Sequence, residues 1–172
     1  YEGIRILTVG RLTYQKAYDI AIDAMKLVKQ SGCKARWYVL GEGNEREKLE
    51  KKIKELGLEE DFLLLGAVEN PYPYYAQADL YVHATRFEGK SIAIQEAQVL
   101  GCPVIASDCN GNREQIESGV DGILCKLSPE DIAKCIEELI ADPKKRQIYA
   151  KCARERNKEN KEEINQLLTM MR

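Results

Sequence analysis

The sequence predicts an α/β fold: a doubly wound, parallel, six-stranded Rossmann-type sheet with a C-terminal helical tail. Three observations carry this. Short apolar runs alternate with helix-period stretches across residues 4–140, the rhythm of strand–helix–strand units. The strand candidates are near-continuous apolar runs, as expected of strands covered on both faces. The chain has 172 residues, 44% of them hydrophobic and 31% charged, enough for one soluble domain with a full core.

The first strand is Ile4–Val9. Ala17, Ile20, Ala21, Ala24, Leu27 and Val28 then recur at helical spacing. Residues 37–40 form the second strand, and residues 45–56 a charged surface helix stopped by Gly57. Residues 62–65 are the third strand, Tyr72–Gln77 a short helix after Pro71, and Leu80–His83 the fourth strand. A helix over 91–100, closed by Gly101, leads to a fifth strand at 104–106. A short helix at 112–117 and a sixth strand at 122–125 follow. Ser128 caps a helix whose first residue is Pro129 and which runs to about residue 140. Right-handed crossovers then imply the order 3-2-1-4-5-6. In such sheets ligands bind beyond the carboxyl ends of the strands where the order reverses, between strands 1 and 4. The loops to inspect are therefore residues 10–16 and 84–91. Residues 1–142 form the sheet-bearing core and 143–172 a mostly charged helical tail outside the sheet, with Ile164, Leu167, Leu168 and Met171 as one apolar stripe.

Charge and cysteine content exclude several classes. Twenty-six basic and 28 acidic residues leave a net charge of −2, against a dedicated nucleic-acid or anionic-membrane binder. The charge run at 144–161 mixes signs and reads as a solvated face. No apolar run approaches the length of a membrane span. Six cysteines without C-x-x-C spacing and a single histidine, His83, argue against a zinc site and for reduced thiols of a cytosolic protein. The chain opens on Tyr1 and enters a strand almost at once, which reads as a piece of a longer protein.

Dinucleotide and phosphate-loop fingerprints are missing. Gly10-Arg11-Leu12-Thr13-Tyr14-Gln15 is not G-x-G-x-x-G, and Gly41-Glu42-Gly43-Asn44-Glu45-Arg46 lacks the third glycine, so the pair reads as a tight strand-to-helix turn. The first loop instead brings two cations, Arg11 and Lys16, to the start of a helix, where an anion is already favoured. They are either anion ligands or solvated surface cations. The fourth loop carries Phe87-Glu88-Gly89-Lys90-Ser91, and the helix behind it Glu96. Carboxylates suit paired sugar hydroxyls because they only accept hydrogen bonds. Glu96, among Ile92, Ala93, Ala97 and Leu100, is either a satisfied structural acid or one that faces a ligand. His83, at the end of the fourth strand, either looks into the crevice or is structural, and the structural reading is preferred because no acid, Ser or Cys stands at motif spacing to form a triad. Tyr72, Tyr74 and Tyr75 could stack a base, but read rather as rings packing the short helix with hydroxyls at the surface.

Taken together, Val9-Gly10-Arg11-Leu12, Lys16, the spacing of Glu88-Gly89 to Glu96-Ala97 and the run Gly101-Cys102-Pro103-Val104-Ile105-Ala106 resemble retaining GT-B glycosyltransferases of family 4. Glu88 and Glu96 match the family's E-x7-E motif, and residues 111–124 are similar to its glycine-bounded E-i-i segment. The resemblance spans about residues 3–142. It implies the C-terminal, nucleotide-sugar-binding half of a two-domain enzyme whose N-terminal acceptor domain is absent from this chain. It implies a UDP- or GDP-sugar donor, no metal or other cofactor, a cytoplasmic location with the full-length enzyme at the inner membrane face, and polysaccharide or glycoconjugate synthesis. Arg11 and Lys16 would hold the diphosphate, Glu96 the ribose diol and Glu88 hydroxyls of the transferred sugar. Backbone of Gly10 and of Gly89 to Ile92, including Lys90 and Ser91, would face sugar and phosphate. The base would lie between Gly41–Gly43 and Gly66–Val68. A non-catalytic nucleotide-binding module and half of a nucleotide-sugar epimerase are the competing readings. The sequence departs from the family where Ala17 replaces the glycine after the lysine, which implies a turn that avoids a glycine-only conformation. Lys90 also replaces a frequent apolar residue, and either reaches an acidic sugar or is solvated.

Overall fold

In the computed structural model, which describes residues 1–158, 165, 166, 169 and 170, six strands form one parallel sheet in the order 3-2-1-4-5-6. The strands are β1 (Ile4–Val9), β2 (Ala35–Leu40), β3 (Phe62–Gly66), β4 (Leu80–His83), β5 (Val104–Ser107) and β6 (Ile123–Cys125). The helices are α1 (Tyr18–Gln30), α2 (Arg46–Glu55), α3 (Tyr72–Gln77), α4 (Ile92–Val99), α5 (Asn110–Gln115), α6 (Pro129–Ala141) and α7 (Pro143–Asn157), with a 3-10 turn at Tyr14–Lys16. Element types and order follow the sequence pattern. β2 begins two residues before the expected run because Ala35 and Arg36 pair in register with Ile4 and Arg5. α5 also begins earlier than expected, at Asn110, directly after the turn that leaves β5.

Period-2 alternation in buried strands sends successive side chains to opposite layers. Ile6, Trp37, Val39, Phe62, Leu80, Val82 and Ile105 pack in one layer with α1 and α6 through Ile22, Met25, Val28, Ile132, Ile136 and Leu139. Leu7, Leu40, Tyr81, Val104 and Ala106 pack in the other with Tyr72, Tyr75, Ile94, Ala97 and Ile116. Trp37 is fully buried and donates its indole N–H to Thr8 Oγ1 at 3.0 Å, while Thr8 Oγ1 donates to Val82 O at 2.5 Å. A side-chain link thus runs across β2, β1 and β4 without leaving a buried donor unmade.

Capping follows the sequence closely. Ser128 Oγ accepts from Asp131 N ahead of Pro129, and Asp142 Oδ1 accepts from Lys145 N ahead of Pro143. The helix expected in the tail is α7; its Tyr149 and Ala153 are buried, and it packs on α4 and α6. The apolar stripe of residues 164, 167, 168 and 171 lies outside the described residues.

One expectation fails. Ala17 does not avoid the left-handed region; it sits at φ 48° and ψ 36°, fully buried, between the 3-10 turn and α1. Alanine there costs about 1–2 kcal/mol of backbone strain. Ala17→Gly relieves that strain but removes a buried methyl worth about 0.8 kcal/mol and loosens the unfolded chain by about 0.4–1 kcal/mol. We expect Ala17→Gly to leave the thermal midpoint nearly unchanged. Ala17→Val, β-branched and without space, should destabilise by roughly 2–4 kcal/mol. Denaturant melts of both variants check this, and equal losses in the two would show that the left-handed turn is not where the strain lies.

Candidate functional site

The loops leaving β1 and β4 meet where the strand order reverses, and their first joint is backbone. Gly10 N–H donates to Leu40 O, Leu12 N–H to Glu42 O and Glu45 N–H to Leu12 O, so the β1 and β2 loops run side by side. At Gly41 a Cβ would lie 2.0 Å from Gly10 O. The Gly41-x-Gly43 pair therefore serves close approach of two backbones, in keeping with the turn read from sequence. Gly10 O is held from the other side by the Tyr18 hydroxyl at 2.8 Å.

The β1 and β4 loops are then tied by side chains. Thr85 Oγ1 lies within hydrogen-bond reach of Gln15 O and Phe87 O, Arg86 N–H donates to Gln15 O, and Gln15 Nε2 to Phe87 O. Arg86 forms a two-pronged ion pair with Asp19 at 2.8 and 3.1 Å and stacks over the Tyr14 ring at 3.8 Å. The sequence gives no sign of the Arg86–Asp19 pair; the two residues are 67 positions apart, so no local spacing announces it.

Glu88 stands at the centre of this construction. Its Oε2 accepts from Lys16 Nζ at 2.7 Å and lies 2.8 Å from His83 Nε2. Burial opposes ionisation of Glu88, but hydrogen bonds from His83 and Lys16 outweigh it and bring its pKa to about 2. His83 is buried at the end of β4. Burial lowers its pKa, the hydrogen bond to Glu88 opposes that, and the Lys16 charge adds to the lowering. The structural reading of His83 thus holds only in part: its acid partner exists, five residues along.

The other sequence candidates are placed as follows. Arg11 is exposed on the β1 loop. Glu96 lies on α4 facing α3; burial raises its pKa, and the Tyr75 and Tyr72 hydroxyls beside it pull the other way. Those two rings are buried as expected, but the Tyr75 hydroxyl donates to Ala93 O at 3.2 Å, so the expectation of surface hydroxyls fails for Tyr75. Ser91 caps α4, its Oγ accepting from Ile94 N at 3.2 Å. Its N–H donates to Gln115 Oε1 at 2.7 Å, and its carbonyl accepts from Gln115 Nε2 at 2.8 Å. Gly89 and Lys90 are exposed on the same loop, and Ile92 is 68% exposed at its end. Gly111 backs this loop, since a Cβ there would lie 2.1 Å from Gly89 O and 2.3 Å from Glu88 O. Gly41 and Gly66 lie together through Gly41 N–H to Gly66 O, and Val68, two residues on, packs partly buried on the second core layer. Among the described residues no group of three or more His, Cys, Asp or Glu could hold a metal ion, and no helix is long and apolar enough to cross a membrane.

These pKa shifts set a pH dependence. His83 and Glu88 both have folded values below their ordinary 6.5 and 4.5, so the unfolded chain takes up protons first. Their contribution to stability is complete above pH 6.5 and is lost on acidification, first in the histidine window and then between pH 4.5 and about 2. Glu96, shifted upward, works in the opposite sense. The thermal midpoint should therefore fall between about pH 7 and pH 5.5. His83→Gln should flatten that segment, because the chain has no other histidine; an unchanged slope in the variant would remove His83 as its source.

Comparison with known proteins places this architecture. Residues 2–156 match the family described as Glycosyl transferases group 1. The chain is 34% identical over 155 residues to the N-acetylgalactosamine-N,N'-diacetylbacillosaminyl-diphospho-undecaprenol 4-alpha-N-acetylgalactosaminyltransferase of Campylobacter jejuni, covering 89% of this chain and 42% of that protein. It is 31% identical over 149 residues to the amylovoran biosynthesis glycosyltransferase AmsD of Erwinia amylovora, covering 87% and 42%. The chain thus spans about two fifths of the length of these curated relatives. Among solved structures, Anabaena HepE in complex with UDP and glucose superposes with a TM-score of 0.85 at 27% identity, over 97% of this chain and 47% of that one. The C-terminal domain of the Francisella tularensis group 1 protein LpcC superposes with a TM-score of 0.79 at 26% identity, over 91% and 85%. The match runs through both loops of the crevice and the sheet that carries them: the chain belongs to the group 1 glycosyl transferases, with the fold of a GT-B C-terminal domain.

Proposed function

We propose that this chain is the donor-binding half of a retaining glycosyltransferase that moves a sugar from a UDP- or GDP-sugar to an acceptor, without a metal, in polysaccharide or glycoconjugate synthesis on the cytoplasmic side of a membrane. The observation that carries this reading is the meeting of Lys16 and Glu88 at the switch point of the sheet, a cation and an acceptor-only carboxylate within 2.7 Å. A sugar nucleotide presents both a diphosphate and hydroxyls, and these two side chains match them. The relatives named above act in glycan assembly, and HepE was solved with UDP and glucose, which supports a UDP-sugar as the first donor to try.

The physical task is to stabilise charge on the leaving nucleoside diphosphate as the glycosidic C–O bond breaks. Lys16 and exposed Arg11 supply positive charge, with the Gly89 amide on the β4 loop and the Ile92 amide at the start of α4. The Ser91 amide is committed to Gln115, so that residue shapes the turn instead of binding phosphate. Glu88 accepts from sugar hydroxyls and Glu96 from the ribose diol. The base rests against backbone between Gly41 and Val68. The acceptor and its catalytic partners belong to the N-terminal domain of the whole enzyme, so residues 1–172 alone should bind donor without transferring sugar.

Calorimetric titration with uridine, UDP, UDP-sugars and the GDP series tests these roles. Glu96→Ala should weaken UDP and UDP-sugar alike, by about tenfold to a hundredfold for a lost charge-assisted hydrogen bond. Glu88→Ala should weaken only the sugar-bearing ligands, and Arg11→Ala and Lys16→Ala only those with a diphosphate. A folded Glu96→Ala that binds every nucleotide as the parent does would reduce Glu96 to a structural acid. Nucleotide affinity should also survive EDTA; its loss on chelation would mean that a divalent ion holds the diphosphate.

A further inference from the structure

Among the described residues Glu88 has two side-chain partners, Lys16 and His83, and an arriving diphosphate competes for only one of them. Lys16 carries a mobile point charge on a flexible stem, so its ammonium can turn to a phosphate. His83 cannot follow. Its side chain is 2% exposed, its backbone is paired with Ala106 of β5, and its ring stacks on Tyr81 with centroids 5.9 Å apart.

The proton positions around His83 follow from chemistry. Ionised Glu88 offers only acceptors, so Nε2 carries the proton, and Nδ1 of the neutral ring presents a lone pair. That lone pair faces the Tyr81 hydroxyl at 3.2 Å. The hydroxyl has one proton and a second acceptor in reach, Val9 O at 3.2 Å. Were the proton given to Val9 O, two lone pairs would confront each other between Tyr81 and His83. Tyr81 therefore donates to His83 and accepts from Val9 N–H at 3.3 Å. The hydrogen bonds run one way, from the end of β1 through Tyr81 and His83 to Glu88.

We propose that Tyr81 and His83 are positioning residues for Glu88, a directed relay anchored on the β1 backbone that holds the carboxylate at the sugar end of the site while Lys16 turns to the diphosphate. What Glu88 touches rests on the donor-binding reading above; the relay itself does not. The same hydroxyl also serves the protonated ring: Nδ1–H then donates to Tyr81, and Tyr81 to Val9 O. The groups facing the imidazole are Glu88 from the β4 loop, Lys16 from the turn after β1, and Tyr81 on its own strand, with Val9 backbone behind it. Lys16 disfavours the imidazolium and Glu88 favours it. A diphosphate that neutralises Lys16 leaves Glu88 the stronger influence, so an occupied site raises the His83 pKa.

With one histidine in the chain, ring-nitrogen NMR of residues 1–172 reads His83 without assignment ambiguity. At pH 7.5 the neutral ring should carry its proton on Nε2, and saturating UDP should raise its titration midpoint by roughly half a unit or more. Calorimetry supplies the second arm, with UDP, UDP-glucose and UDP-N-acetylglucosamine as probes. His83→Leu should weaken whichever sugar nucleotide the parent binds by about tenfold while changing UDP by no more than about twofold. His83→Gln, whose amide nitrogen reaches toward the former Nε2 position, should restore most of the loss. A neutral ring protonated on Nδ1 would overturn the relay. So would a Leu variant that loses UDP and sugar nucleotide equally, and a midpoint unmoved by bound UDP would overturn the exchange at Lys16. If the parent binds no sugar nucleotide, the donor-binding reading fails and the tautomer still decides the relay. If the Leu variant does not fold, the Gln variant and the NMR arm carry the test.

Discussion

A carboxylate drawn partly out of water must find its counter-charge inside the protein, and for Glu88 that requirement reaches across the fold. Lys16 lies 72 positions away in sequence and His83 five. Both can reach Oε2 only if the ends of β1 and β4 are neighbours, which is the reversal point of the 3-2-1-4-5-6 order. An unpaired charge at such depth costs several kcal/mol, so the pairing and the strand order support each other. The surrounding bonds serve the same end. Gln15, Thr85 and the Arg86–Asp19 pair fasten the two loops without touching Glu88, so the carboxylate is held by a frame as well as by its partners.

A third loop completes the frame. Gly111 lets the segment after β5 lie against Glu88 and Gly89, where any side chain would collide with backbone. Gln115 then clamps both polar groups of the Ser91 backbone, and Ser91 caps α4, the helix that carries Glu96. Gln98 Nε2 and Arg156 Nη1 both donate to Gln115 O, and Arg156 also pairs with Asp121. Support therefore passes from α7 through α5 to the loop holding Glu88. The charged segment that reads as a solvated tail contributes, through Arg156, to the placement of the loop on the far side of α4. Arg156→Ala leaves Gln115 without one of its braces, which makes this coupling a matter of local rigidity in the β4 loop more than of global stability.

The fold was legible because its cues are local. Apolar runs of strand length and the Ser-Pro start of α6 act over a few residues, and with the switch-point rule they put Lys16 and Glu88 in facing loops. The boundaries of β2 and α5 moved by two residues because strand pairing and the turn after β5 decide them, not hydrophobicity. His83 reads as structural, and Arg86 and Gln115 carry no signal, for a different reason. Each takes its role from a partner brought near by folding, at separations of 5, 67 and 24 positions that form no motif. The Tyr75 hydroxyl reads as a surface group because, in an aromatic run, nothing local announces the half-buried carbonyl of Ala93 and the half-buried acid Glu96 beside it.

Ala17 shows how the local and the distant requirements meet. The residue follows Lys16 and precedes α1, so its left-handed conformation redirects the chain between the 3-10 turn and the helix. A residue in the ordinary helical region would continue the turn in a different direction and carry Lys16 with it. Glycine would adopt the bend without strain, yet the methyl of Ala17 is fully buried in the first core layer, packed with Leu12, Tyr18 and Ala21. The burial offsets much of the backbone cost. Strain at such a position persists only where surrounding contacts over-determine it, and here those contacts stand on both sides: the core beneath Ala17, and the Lys16–Glu88 pair above it. The turn is held in an unfavoured shape by the same carboxylate whose burial needs the lysine.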